Sequence, residues 1–475
     1  MELDYKIEKK EFVSRVILLF LIVVYLLSFI VYGNEQEKVS FWIYISFVPI
    51  GIICIYELIN DKLDVSLNKM HWYFVLIFLV LSPISQIRSG YCPWKYSWDE
   101  GLILRANVVV LLWCIIYILS YKRIIKIRIK GENRNELDAT ERNTLNKKRK
   151  GIHLLRSSKV LLLVISILSV LIMTRIYGFN NLFIRGSEGF GDNTFGIMFD
   201  YLLRSIPVIN CSIFVLDRKQ GGCAKISEII IILVCVFIVN SPFVLSRYWS
   251  GVVYLGLLVC IIPRKWIEKK RFDIIILSIL LIVFPAFSIF KNNSFQEALQ
   301  KGQRIEILTV YNSVDFDAYS LLCQIIQFIK VNGLTWGTQL RSVIFFFVPR
   351  AIWNIKGVPT GQLVATWLNS FFTNVSSPLM GEGLIDFGII GVMLYAFVFG
   401  GILRKFDLAF EEQRFVEKDS NVLYLNIISP FLLGFTIFIM RGALQSVFLR
   451  IMGFFLYLMM IYAFKKIKDS LKKYL

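Results

Sequence analysis

The chain has 475 residues, 56% of them hydrophobic and 18% charged, with a formal net charge of +19 and a mean hydropathy of +0.63. That balance excludes an ordinary soluble globular protein and points to an integral membrane protein. Two histidines, and eight cysteines without metal-ligand spacing, leave little from which to build a metal centre, and none is expected.

Apolar runs recur along the whole length, each long enough at 1.5 Å per residue to cross a hydrocarbon core of about 30 Å. They are continuous and do not alternate with period two, so they predict an all-α polytopic protein and not a β-barrel. About twelve spans are expected, near 14–32, 41–57, 71–87, 103–121, 159–175, 198–216, 226–241, 248–263, 272–290, 387–403, 423–440 and 447–464. The first is followed by Gly33-Asn-Glu-Gln-Glu-Lys38, without a small-residue cleavage pattern, which suits a retained signal anchor. No repeat or soluble domain interrupts the series, so residues 1–475 read as one membrane domain.

Lysine and arginine placement sets orientation, because basic residues near helix ends stay in the cytoplasm. It puts both termini inside. The densest cluster, the cytoplasmic loop 122–158, contains Lys147-Lys-Arg-Lys150. A topology determinant beside anionic lipid is favoured there over a nucleic-acid patch, and Lys465 to Lys473 reads the same way. No nucleic-acid partner is expected.

Beyond the fifth span, Arg185 precedes Gly186-Ser-Glu-Gly-Phe-Gly-Asp192. That stretch looks like a phosphate cradle but lacks the strand and lysine of a P-loop, so a surface turn is favoured. Asn240 to Trp249 forms a tight hairpin whose Arg247 opens the next span, at the depth of a lipid diphosphate. Most cysteines fall within spans; only Cys92 and Cys323 are expected on the outer face, where two unlinked thiols are favoured over a disulfide.

The loop 291–386, assigned to the outer face, is too long for an ordinary connection and too apolar for disorder. Within it, 317–330 predicts a helix with Leu321, Leu322, Ile325, Phe328 and Ile329 on one face, packed on the bundle or lying along the interface. Arg341 to Trp353, broken by Pro349, is too short to span and predicts an interfacial or re-entrant helix. Together they would roof a cavity.

Basic residues outside run against the charge bias, so Arg185, Arg247, Lys291, Arg304, Arg341, Arg350, Lys356 and Arg441 each call for a reason. Lipid headgroups would satisfy any one of them. Several beneath a roofing loop suit a phosphate-bearing ligand, which guanidinium groups match in bidentate fashion. The carboxylates there are Asp315, Asp317, Glu382 and Asp386. His71 and His153 both fall on the cytoplasmic side, so a base acting outside must be a carboxylate, and Glu382 is best placed. Gly381 and Gly383 would let a large substrate approach the backbone, and Asp386 shares a face with Glu382 once the helix has begun. A plain helix start, with Ser377 as cap and Pro378 in the first turn, accounts well for an early acid and less well for the flanking glycines.

In order along the chain stand Arg185-Gly-Ser, Asn240 to Arg247, Phe316-Asp317, Trp336-Gly337, Pro349-Arg350, Trp353, Lys356 and Pro359. Ser377-Pro378, Gly381-Glu382 and Asp386-Phe387-Gly388 complete the set. Over residues 180 to 400 this set resembles the Wzy-type oligosaccharide repeat-unit polymerases of O-antigen and capsule synthesis. One departure is Lys356-Gly-Val-Pro359, where the lysine is usually followed directly by proline. The resemblance implies a metal-independent, cofactor-free membrane glycosyltransferase of the GT-C type in the bacterial cytoplasmic (inner) membrane. It would join undecaprenyl-diphosphate-linked glycans on the outer face, with a chain-length regulator and a flippase as pathway partners.

In that scheme Glu382 deprotonates the acceptor hydroxyl, while Arg247, Arg350 and Arg341 stabilise the departing diphosphate. Arg185, Lys291, Lys356 and Arg441 are second choices, and Asp317 and Asp386 contact or orient substrate. The alternatives are an O-antigen ligase, which usually brings a histidine in the loop, and a repeat-unit flippase, which would show paired halves.

Overall fold

The computed structural model describes residues 39–61, 63–131, 156–184, 190, 194–242, 244–263, 271–279, 311–413 and 420–474. The first predicted span, Arg185, Lys291, Arg304, His153 and Lys147 to Lys150 lie outside them. All regular structure among the described residues is helical.

The helices are α1 (Phe41–Asn60), α2 (Leu67–Arg88), α3 (Glu100–Gly131), α4 (Arg156–Tyr177), α5 (Thr194–Lys219), α6 (Ile226–Val239) and α7 (Arg247–Ile261). There follow α8 (Arg271–Ser278), α9 (Ala318–Asn332), α10 (Thr338–Ile344), α11 (Thr360–Trp367), α12 (Leu379–Gln413), α13 (Ser420–Arg441) and α14 (Leu444–Tyr474). Every predicted run from 41–57 onward begins on a helix. Among the described residues, seven helices are long and apolar enough to cross a membrane: α1 to α5, α12 and α14. The apolar stretches of α6, α7 and α13 are shorter.

Helix α2 is the buried axis, packed against α1, α12 and α13. Its Ser66 cap accepts the Lys69 amide, and a π-helical turn at Ile77–Leu81 lies midway along it. By contrast α1, α4 and α6 turn large apolar side chains outward, among them Val48, Ile52, Val164, Leu171, Ile230 and Val234. Lipid is the solvent that tolerates such faces. Because lipid tails are as apolar as leucine, close packing must hold the helices together. Gly400 supplies it between α12 and α3, where an added Cβ would stand 2.9 Å from the Tyr117 carbonyl. Ser120 of α3 donates to the Phe397 carbonyl of α12 at the same crossing.

Residues 311–378 gather at one end of the bundle, called the loop end below. Helix α9 packs on α3 and α12, with Leu322, Ile325 and Phe328 in the bundle core and Ile329 partly buried against it, whereas Leu321 of the same predicted face joins a separate small cluster with Ala365 and Val375. Helix α10 lies against α12 and α14. After it the chain proceeds in turns to Pro359 and exposes Phe345, Phe347, Ile352 and Ile355.

Candidate functional site

Helix α12 is two segments joined by a break. Phe387 (φ −138°, ψ 17°) and Gly388 (φ 64°, ψ −146°) leave helical geometry, and the second combination is open in practice only to glycine. The break brings two turns together: a Cβ on Gly391 would lie 1.9 Å from the Gly383 carbonyl oxygen. The void at Gly381 is filled likewise, by Ile325 Cδ1 at 2.6 Å from a Cβ placed there. These glycines therefore serve protein packing, and the expected open approach for a substrate is occupied.

A broken helix in a membrane must find new partners for its freed backbone groups. Here Thr335 supplies them. Its amide and hydroxyl donate to the Ile385 carbonyl at 2.9 and 3.1 Å. Asp386, fully buried, accepts from the Thr335 hydroxyl (2.6 Å) and from the Gln339 and Leu340 amides (3.1 and 2.8 Å). It thus caps the first turn of α10 from another helix, as a carboxylate at a helix N terminus should. The oxygens sequence reasoning offered to a substrate are spent in fastening the loop to the bundle.

Glu382 lies on the short first segment and is 2% exposed. Its Oε2 accepts from the Thr360 hydroxyl, at the head of α11, and its Oε1 accepts from the Leu444 amide, at the head of α14, at 3.0 Å. Among the described residues no lysine or arginine forms an ion pair with it. The carboxyl is thereby placed where three helix starts converge.

The remaining acids are ion-paired. Asp317 holds Arg441 at 2.7 Å and also accepts from the Ser376 hydroxyl (2.6 Å) and the Trp94 indole N–H (2.8 Å). Arg441 further donates to the Asp315 and Val314 carbonyls at 3.2 Å, and its guanidinium lies 4.2 Å from the Tyr248 ring centroid. Asp315 pairs with Arg247 at 2.6 Å. Ser377 donates its amide to the Arg441 carbonyl, which continues this network into the segment bearing Glu382.

The loop cations do structural work. Arg350 is exposed, yet its guanidinium donates to the Lys356 and Gly357 carbonyls (2.8 and 3.0 Å). Lys356 is buried, with its ammonium on the Phe346 and Val348 carbonyls (2.7 and 2.9 Å). Burial, and then the nearby Arg350, hold that ammonium below its ordinary range. Arg341 is exposed, and among the described residues it reaches only the start of its own helix, the Gly337 carbonyl and Thr338 hydroxyl. All eight cysteines are free thiols, with Cys323 buried.

The structure thus joins Glu382, Asp317, Arg441, Arg247 and Asp386 in one region at the loop end, with Lys356 and Arg350 in the adjoining loop. No family model, curated protein or solved structure matches the chain. Two participants escaped the sequence reading. Thr360 gave no signal, because a hydroxyl beside Pro359 has no pattern of its own. Arg450 did give one: it lies inside the apolar run of α14, where a charge is costly and asks for a partner.

Proposed function

We propose that the chain is a membrane glycosyltransferase that polymerises oligosaccharide repeat units carried on a polyprenyl diphosphate, working at the loop end on the outer face of a bacterial cytoplasmic membrane. The observation that carries the reading is Glu382: a buried carboxyl without an ion-pair partner among the described residues, set between Thr360 and Leu444 and continuous with two arginine–aspartate pairs. Outside the cytoplasm nucleotide sugars are scarce, so a donor sugar must arrive on lipid. The reaction then needs a base for the acceptor hydroxyl and cations for the leaving diphosphate.

Glu382 takes the proton as the acceptor oxygen attacks the anomeric carbon, and the C–O bond to the diphosphate breaks with inversion. For that the acceptor hydroxyl must replace Thr360 on Oε2. Arg247 and Arg441 are the cations nearest in the network, each held by an aspartate that fixes its direction and tempers its charge. Arg350 and Lys356 stiffen the roofing loop above them.

Glu382→Gln keeps the shape and the acceptor for the Leu444 amide, and its amide nitrogen can donate to the Thr360 hydroxyl in reverse, but it removes the base. Expressed at normal levels in a host lacking its own polymerase, it is expected to leave single capped units in place of the long glycan ladder. A full ladder would overturn the assignment. Loss of all attachment to the acceptor lipid on deletion of the gene would favour a ligase or flippase instead.

A further inference from the structure

Arg450 sits in the second turn of α14, within a segment apolar enough to span a membrane. Its Nε donates to the Tyr201 hydroxyl of α5 at 2.8 Å, and its Nη1 donates to the Ser446 carbonyl at 2.9 Å. The Ser446 contact draws the head one turn back toward Leu444, whose amide holds Glu382. The guanidinium carbon lies 5.2 Å from the Tyr201 ring centroid and 5.8 Å from that of Phe438. Above it, Phe346 of the roofing loop meets Phe448 of α14 edge-on, with centroids 5.4 Å apart.

Three arginines at the same end each have a carboxylate: Arg204 has Asp200 at 2.8 Å, Arg247 has Asp315 and Arg441 has Asp317. Arg450 has none among the described residues. An arginine in a membrane span without a counter-charge is expensive, and aromatic faces recover only part of the cost. A guanidinium held beside two aromatic rings, with its Nη2 free of hydrogen bonds among the described residues, is an arrangement that can receive phosphate oxygens.

We propose that Arg450, oriented by Tyr201, binds the phosphate-bearing headgroup of the polyprenyl carrier between α5 and α14. Taking the headgroup as the carrier's diphosphate rests on the function proposed above; the presence of a phosphate-binding cation does not. In this arrangement Arg450 is a cation without a carboxylate among the described residues, as are Arg341, Arg350 and Lys356 of the loop, but it alone of these four lies within a membrane-length apolar helix; Arg247 and Arg441 are already balanced by their aspartates. It is a binding residue and takes no part in proton transfer.

The test uses the full chain in phosphatidylcholine nanodiscs, titrated with undecaprenyl diphosphate and read by thermal shift and by native mass spectrometry. Arg450→Gln is expected to weaken binding by about 10- to 100-fold, the loss of one charged hydrogen-bonding group. Arg450→Lys should lose less, and Tyr201→Phe should lose a few-fold through orientation alone. If Arg450→Gln keeps both the melting temperature and the affinity of the parent, the arginine merely snorkels and the proposal fails. If that variant does not fold, unchanged affinity in both Arg450→Lys and Tyr201→Phe overturns it equally.

Phosphatidylglycerol and inorganic pyrophosphate are the competing arms. Displacement by phosphatidylglycerol at equal concentration would overturn the carrier assignment in favour of a general phospholipid. Pyrophosphate is expected to compete only at a much higher concentration than the lipid, and displacement by it at equal concentration would overturn a lipid ligand. Failure here is separable from failure of the enzymatic reading: Glu382→Gln reports on glycan length, Arg450→Gln on binding without turnover.

Discussion

Asp317 shows how a side chain expected to meet substrate can have its oxygens engaged within the fold. A buried aspartate beside an arginine suits a substrate site, but Asp317 already satisfies Arg441, Ser376 and Trp94. Removing one member of a buried pair leaves the other uncompensated, at a cost of roughly 3 to 5 kcal/mol, whereas an apolar replacement of both is far milder. Asp317→Asn is therefore expected to lower the melting temperature in detergent sharply, and the double variant Asp317→Leu with Arg441→Met is expected to regain much of the loss. If single and double variants melt alike, the pair is not what stabilises this end. The partners of Asp317 come from residues 94, 376 and 441, so no local pattern could have announced them. Arg450 differs: a charge within an apolar run is visible in the sequence, and only its aromatic setting required the fold.

At the scale of elements, the acid-and-glycine stretch before the tenth predicted span was legible as special but not as a break. Its glycines admit a positive φ at Gly388 and the contact of Gly383 with Gly391, and Asp386 closes the gap by capping α10. Gly391→Ala would force a Cβ onto the Gly383 carbonyl, so the two segments of α12 must part. Loss of folded, monodisperse protein is expected, and normal yield with an unchanged melting temperature would contradict the packing role.

Asp386→Ala removes a helix cap worth about 0.5 to 2 kcal/mol and leaves the bundle core untouched. Its effect should be local: faster hydrogen exchange in residues 335 to 344 and quicker proteolysis in the turns around Pro349, with α2 and α3 unaffected. Uniform acceleration across the bundle would show that the cap supports more than the loop. The helix at 317–330 was readable because its apolar face follows the helical period. The turns after Ile344 were not, since their order comes from side chains of Arg350 and Lys356 reaching carbonyls six to ten residues away.

For the whole molecule, periodic apolar runs suffice to reveal a helical membrane protein, whereas which helices cross and which end faces out depend on the membrane itself. The bundle has two chemically distinct ends. The loop end gathers residues 311–378 with Glu382 and the arginine–aspartate pairs; the hairpin between α5 and α6 lies at the other, with exposed Cys223. The proposed function requires the loop end outside, because the lipid-linked substrates are met there. A single experiment decides this on nearly native protein, since the other cysteines are buried apart from the half-buried Cys92. With Cys92 replaced by serine, a membrane-impermeant maleimide should label Cys223 only after cells are permeabilised. Ile355→Cys, at an exposed apolar position of the roofing loop, should label in intact cells. The opposite pattern would place Glu382 on the cytoplasmic side, among nucleotide sugars, and would remove the reason for a donor delivered on lipid.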